Sequence, residues 1–181
     1  SGATLGIIGL GAIGQAVARR AAGFDMRVLG WTPSGREVAG VENVSLEELL
    51  LRSDFVSVHL ALTGDTRNLL DAERIAAMKP GAVLVNTARG GIVNESALAL
   101  ALDSGHLYAA GLDVFEQEPV AMDNPLLRHP RVVVVPHIGS ATTLTRAKMV
   151  DIAVHNATAA LLGLPMPHCV NPEVYAPGGQ R

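Results

Sequence analysis

The 181-residue chain holds one cysteine, Cys169, so neither a disulfide framework nor a cysteine-based zinc site can form within one copy. Charged residues make up only 17%, the formal net charge is -3, and no Lys/Arg-rich block occurs, which argues against nucleic acid as the main partner. No apolar stretch approaches the roughly 18–20 residues that a membrane span needs, and no signal peptide is expected. Internal repeats and low-complexity blocks are missing too. The expectation is a protein of a reducing, cytoplasmic setting with neither nucleic acid nor membrane as partner. His106, His129, His155 and His168 share no ligand spacing, so no metal site is expected, and Asp25 and Glu37 read as surface charge.

What the chain has in plenty is apolar residues, 49% of the total, enough for one well-buried domain. Its organising stretch is TLGIIGLGAIGQAVARR, residues 4–20. Leu5, Ile7 and Ile8 form a short apolar run that reads as a strand buried on both faces. Gly9, Gly11 and Gly14 follow at G-x-G-x-x-G spacing, and Ala12, Ile13, Ala16, Val17 and Ala21 then recur at helical intervals. Strand, glycine turn and helix together are the dinucleotide-binding fingerprint. Gly9 permits the tight turn, Gly11 lets backbone amides approach a pyrophosphate, and Gly14 lets helix and strand pack closely. The helix start offers N–H groups and positive dipole character to the phosphates.

Strand and helix patterns alternate along the rest of the chain. Residues 27–31 (RVLGW), 54–59 (DFVSVH), 82–86, 108–114 and 132–135 read as strands. Ser45 and Glu48 form a capping box for a short helix to Arg52. Further helices are predicted over 71–78, over 94–104 with Gly105 as stop, and over 141 to about 162, closed by Gly163 and Pro165. The pattern predicts an α/β fold: a doubly wound, mostly parallel, Rossmann-like sheet spanning 1–181, with a tail from about 165. In such sheets ligands bind beyond the carboxyl ends of the strands. Those ends are 9–14, 31–36, 59–66, 86–91, 113–119 and 136–140, where polar residues and glycines crowd.

Three of these segments carry ionisable groups of different kinds: Arg89 in NTARGG, Glu118 in GLDVFEQEP and His137 in PHIGSAT. An arginine clamps a carboxylate in bidentate fashion, and a histidine exchanges protons near neutral pH. A carboxylate bonded to a histidine fixes its tautomer and favours the protonated ring. With a nicotinamide cofactor, that set suffices to reduce a 2-keto acid. Each residue also has a plain structural reading: Arg89 as a solvated turn residue, Glu118 as a loop cap, His137 as a core histidine.

MKPGAVLVNTARGGIVNESAL, GLDVFEQEP, PHIGSAT and the closing VNPEVY give the chain, over essentially its whole length, a resemblance to the nucleotide-binding domain of the D-isomer-specific 2-hydroxyacid dehydrogenases. PHIGSAT followed by Thr145-Arg146 is most similar to the glyoxylate/hydroxypyruvate reductase branch. The resemblance implies a reductase of small 2-keto acids that forms the D-2-hydroxy acid, with Arg89 binding substrate, Glu118 partnering the histidine and His137 as acid/base. It further implies cofactor contacts from Ala12 and Ile13, from Thr87, Ala88 and Arg89, from Asp113, and from His137, Ile138, Gly139 and Ser140. It implies a homodimer in which the long helix is buried. The family's segment ahead of the first strand, most of its substrate domain, is missing here, so the chain is expected to be an excised half that binds dinucleotide without turnover. The family's His-x-Pro is His59-Leu60-Ala61 here, which makes His59 a structural residue.

Phosphoglycerate, D-lactate and phosphonate dehydrogenases are alternatives within the family, and a non-catalytic NAD(H)-sensing, corepressor-like module is the alternative outside enzymes. Epimerisation lacks its Tyr-x-x-x-Lys: four residues beyond Tyr108 and Tyr175 stand Leu112 and Gly179. The cofactor expectation is NADP in preference to NAD. An acidic residue that would bind the ribose hydroxyls should end the second strand, but Thr32 stands there. Thr32, Ser34 and Arg36 instead offer two hydroxyls and a cation to a 2′-phosphate, the alternative being a solvated turn on Pro33 and Gly35.

Overall fold

A computed structural model of the chain describes residues 2–176, which fall into two compact units divided after His137. In the first, strand β1 (Thr4–Ile8), helix α1 (Ala12–Ala21), β2 (Arg27–Trp31), β3 (Glu42–Asn43), α2 (Leu46–Arg52) and β4 (Phe55–Val58) are followed by α3 (Ala72–Ala76), β5 (Val83–Asn86), α4 (Glu95–Asp103), β6 (Ala109–Leu112) and β7 (Val132–Val134). All seven strands are parallel, in the order β3-β2-β1-β4-β5-β6-β7. The chain runs outward from β1 to β3 and then returns to place β4 beside β1. That reversal opens a crevice at the carboxyl ends of β1 and β4.

The period-2 alternation of the strands divides the core. Leu5 and Ile7 join Val28 and the α1 residues Ala18 and Ala21 on one face. Ile8 joins Val56, Val58 and Leu84 on the other, against Leu49 and Leu50 of α2, Ile75 of α3 and Leu98 of α4. Helices therefore cover both faces, as right-handed crossovers from a parallel sheet require. Gly6 is structural for the same reason: a Cβ there would run into Leu49 of α2.

The expected strands and helices are present, most of them trimmed. The strand over 108–114 is only Ala109–Leu112, because Asp113 already turns into the loop that follows. The helix over 71–78 is Ala72–Ala76, with Asp71 outside it accepting from the Arg74 N–H, and the helix over 94–104 begins at Glu95 because Asn94 caps it by accepting from the Ala97 N–H. The capping box closes on one side only. Ser45 Oγ accepts from the Glu48 N–H at 3.1 Å, whereas the Glu48 carboxylate turns outward to Arg52. Strand β3 is unanticipated, since its two residues are exposed and polar and carry no apolar alternation.

In the second unit, α5 (Thr143–Leu161) starts two residues later than the expected 141, because Thr142 caps it by accepting from the Thr145 N–H. The expected tail folds back on this helix within the unit: the Asn156 side chain bonds both the N–H and the carbonyl of His168. The last five residues of that tail, 177–181, and Ser1 of the opening lie outside the described residues. Among the described residues no helix is long and apolar enough to cross a membrane, and no group of three or more His, Cys, Asp or Glu could hold a metal ion.

Asp54 fastens the amino-terminal edge of the sheet. Its Oδ2 accepts from the Thr4 N–H at 2.8 Å, its Oδ1 accepts from Lys79 Nζ at 2.6 Å, and its own N–H bonds the Thr4 carbonyl. The Lys79 ammonium, and then the Thr4 N–H, hold the carboxyl below the usual carboxylate range. The unfolded chain therefore binds the proton more readily, so this contribution is complete above the ordinary carboxylate value and is lost as pH falls through the lowered one. Asp54→Asn should destabilise the fold by about 1–2 kcal/mol at neutral pH. Urea unfolding at a series of pH values checks this, and the gap between variant and wild type should close in acid.

Candidate active site

The glycine turn lies at the carboxyl end of β1. Gly9 adopts φ +103, and a Cβ there would press on the His59 backbone across the crevice. A Cβ at Gly14 would overlap the Gly9 carbonyl oxygen, so the turn and the first turn of α1 touch backbone to backbone. Gly11 differs, since a Cβ there meets nothing within 4 Å. Gly11 is also the N-cap of α1, with no side-chain cap and no acidic residue in the first turn. Exposed Ala12 and Ile13 follow it. An uncapped ten-residue helix pointing its first amides into open space suits an anion, so the chain fits the pyrophosphate of a dinucleotide.

At the end of β2, Thr32, Gly35 and Arg36 line a cavity of about 270 Å³ together with Asn43, Val44 and Ser45. No carboxylate is among its lining residues, and neither is Ser34, expected beside Thr32 and Arg36. The Asn43 amide donates to the Arg36 carbonyl at 3.3 Å and ties this loop to β3.

At the end of β5 the buried Asn86 shapes the turn that presents Thr87, Ala88 and Arg89. Its Oδ1 accepts from the Ala88 N–H and its Nδ2 donates to the Arg89 carbonyl, both at 3.0 Å. Thr87 and Arg89 are exposed and Ala88 is buried. Sequence reasoning passed over Asn86, although an asparagine closing a buried strand ahead of a glycine turn is a known turn former. The Asp113 N–H donates to the Asn86 carbonyl, which joins the ends of β5 and β6, and the Asp113 side chain is buried.

Glu118 and His137 come together. Glu118 Oε2 lies 2.8 Å from His137 Nδ1, and Oε1 accepts from the Phe115 N–H at 3.1 Å. Glu118 is thus both the expected loop cap and the histidine's partner. The His137 hydrogen bond, then the Phe115 N–H and the nearby charges of His137 and Arg89, hold Glu118 below the usual carboxylate range. His137 is exposed rather than a core histidine, and its backbone sits at φ +53, where side chains are uncommon. Glu118 and His137, with Asp113, border a cavity of about 560 Å³ whose remaining lining is apolar, with side chains such as Val120, Met122, Leu127 and Val134. Ile138, Gly139 and Ser140 belong to the second unit, where the Ala141 and Thr142 N–H groups bond the Ile138 and Ser140 carbonyls ahead of α5. His59 is half-buried with Nε2 2.8 Å from Ser57 Oγ, and burial holds its ring below the usual histidine range.

The parallel sheet, the switch point and the glycine turn define a dinucleotide-binding domain of the Rossmann class, with a carboxylate–histidine pair on the same sheet edge. Residues 1–139 match the family described as D-isomer specific 2-hydroxyacid dehydrogenase, NAD binding domain. The chain belongs to that family, and its cofactor is a nicotinamide dinucleotide. It is 49% identical over 177 residues to a glyoxylate reductase of Korarchaeum cryptofilum, a match covering 96% of this chain and 53% of the relative. It is 47% identical over 176 residues to glyoxylate/hydroxypyruvate reductase B of Yersinia enterocolitica, covering 94% and 54%. Among solved structures, the TT0316 protein of Thermus thermophilus superposes with a TM-score of 0.90 at 48% identity, covering 94% of this chain and 54% of that one. The chain thus spans about half the length of the curated relatives it matches.

The clearances at the glycine turn separate its two jobs. Gly14→Ala should cost about 1–3 kcal/mol of stability through forced displacement of the Gly9 carbonyl. Gly11→Ala should leave the melting temperature unchanged yet weaken dinucleotide binding about tenfold, by obstructing approach to the amides. Thermal unfolding and NAD(P)H titration of both variants check the separation.

Proposed function

We propose that the protein reduces a small 2-keto acid of the glyoxylate or hydroxypyruvate type to the D-2-hydroxy acid, using NAD(P)H. The observation that carries this reading is the Glu118–His137 hydrogen bond on the sheet edge that also presents Arg89. The names of the two relatives, a glyoxylate reductase and a glyoxylate/hydroxypyruvate reductase, support the substrate class.

Reduced nicotinamide, when bound, supplies the hydride. Arg89, whose guanidinium donates locally to the Ala88 carbonyl at 2.6 Å, holds the substrate carboxylate. His137, with Nδ1 held by Glu118, donates a proton from Nε2 to the carbonyl oxygen as negative charge develops there. Glu118 remains ionised, fixes the tautomer and stabilises the charged ring. Asn86 orients the Arg89 turn. The first amides of α1 receive the pyrophosphate, and Thr87, Ala88 and Asp113 complete the cofactor contacts of the first unit.

For the cofactor we propose NADPH over NADH. The cavity beyond β2 presents Thr32 and Arg36, and no carboxylate lines it to repel a 2′-phosphate. We also propose that the protein is a homodimer: helix α5 has no buried residue and exposes Leu144, Met149, Val150, Val154 and Leu161.

Two measurements test these assignments. In the full-length enzyme, His137→Ala should lower kcat for glyoxylate or hydroxypyruvate reduction by about 10²–10⁴-fold with little change in dinucleotide affinity. A variant keeping most of its turnover would remove His137 as the acid. Arg36→Ala should weaken NADPH by about ten- to a hundredfold and leave NADH nearly untouched. Titration of both cofactors decides it, and equal losses would mark Arg36 as a surface residue.

A further inference from the structure

The loop that carries Glu118 has little core of its own, for residues 116–119 are all exposed. Beyond the buried Val114 and Phe115 at its start and the Glu118–His137 bond, its polar attachments gather on residues 86–95, the segment that also carries Arg89. Gly90 lies against the Phe115 carbonyl so closely that a Cβ would overlap it. Glu95, the first residue of α4, makes three further links. Its Oε1 accepts from the Glu116 N–H, its Oε2 accepts from Asn124 Nδ2 at 2.6 Å, and its own N–H donates to Glu116 Oε1 at 3.1 Å. Asn124 in turn caps the 3-10 segment Pro125–Arg128, so both ends of the loop are held.

Capping α4 does not account for Glu95, because Asn94 already does that by accepting from the Ala97 N–H at 2.8 Å. Both carboxylate oxygens of Glu95 are instead turned onto the neighbouring loop. We infer that Glu95 is a positioning residue, a buckle that keeps the Glu118–His137 pair in register with Arg89 so that the three groups are presented as one rigid unit. The inference rests on the catalytic reading above, but its geometry does not. The charged groups acting on Glu118 are His137 and Arg89, and a loop freed from Glu95 loses its fixed distance to both.

The test compares Glu95→Ala, Glu95→Gln and Glu116→Ala in the full-length enzyme. Nuclear magnetic resonance follows the Glu118 carboxyl titration, and kinetics give kcat, KM and dinucleotide affinity. Glu95→Ala should move the Glu118 titration up toward the ordinary carboxylate range and lower kcat about tenfold, with dinucleotide affinity unchanged. Glu95→Gln keeps an acceptor for the Glu116 N–H and should recover most of both properties. Glu116→Ala removes an exposed side chain and one of the three links, and should produce a smaller shift in the same direction. It decides the matter if Glu95→Ala fails to fold. A Glu118 titration unmoved in the folded variants overturns the buckle. A titration that moves, in a protein whose His137→Ala variant keeps its turnover, upholds the buckle and overturns the acid/base reading instead.

Discussion

All seven strands run in one direction, and this single constraint arranges the rest of the first unit. A parallel strand can be followed by its neighbour only after a crossover, so every carboxyl end emerges on one edge and every return passes over a face. The edge gathers the glycine turn, the Thr32–Arg36 turn, the Asn86–Arg89 turn, the Asp113–Glu118 loop and His137 within one sheet's width. None of these segments is near another in sequence. Their meeting is a property of strand direction and strand order, and the reversal between β1 and β4 opens the crevice for an extended ligand.

Clearance is the second constraint. At Gly14 and Gly90 the missing Cβ lets two backbones touch, once between turn and helix and once between the Arg89 segment and the Phe115 carbonyl. At Gly11 the missing Cβ meets nothing, which leaves the amides of α1 open to a ligand. Three glycines in similar-looking motifs thus do different work, and only the space around each distinguishes them. The polar groups are placed with equal purpose. Asn86 and Glu95 use both ends of their side chains on turns and loops nearby, because exposed turns with few apolar residues have little other means of holding one geometry.

Much of this was legible in the residue order. The fingerprint at 4–20, the alternation of apolar runs with capped helices, and the crowding of glycines and polar residues after each run suffice for a doubly wound parallel sheet and for the edge on which chemistry should lie. Arg89, Glu118 and His137 stood out because ionisable groups at the ends of apolar strands are hard to explain by burial. The strand ends were read too long, since apolar residues such as Val114 continue past the last ladder bond into the loop. Strand β3 escaped because Glu42 and Asn43 pair through backbone alone.

The sequence by itself determined local conformation, the faces of each element and the chemical repertoire of the sheet edge, since these depend on periodicity, capping and side-chain type over a few residues. Only the tertiary structure decided that Glu118 meets His137 at 2.8 Å, that Glu95 fastens the loop between them and Arg89, and that the cavity beyond β2 is lined without a carboxylate. The first two are contacts between segments 19 or more residues apart. No local rule encodes them, because they follow from the order in which strands pair and from the space their packing leaves.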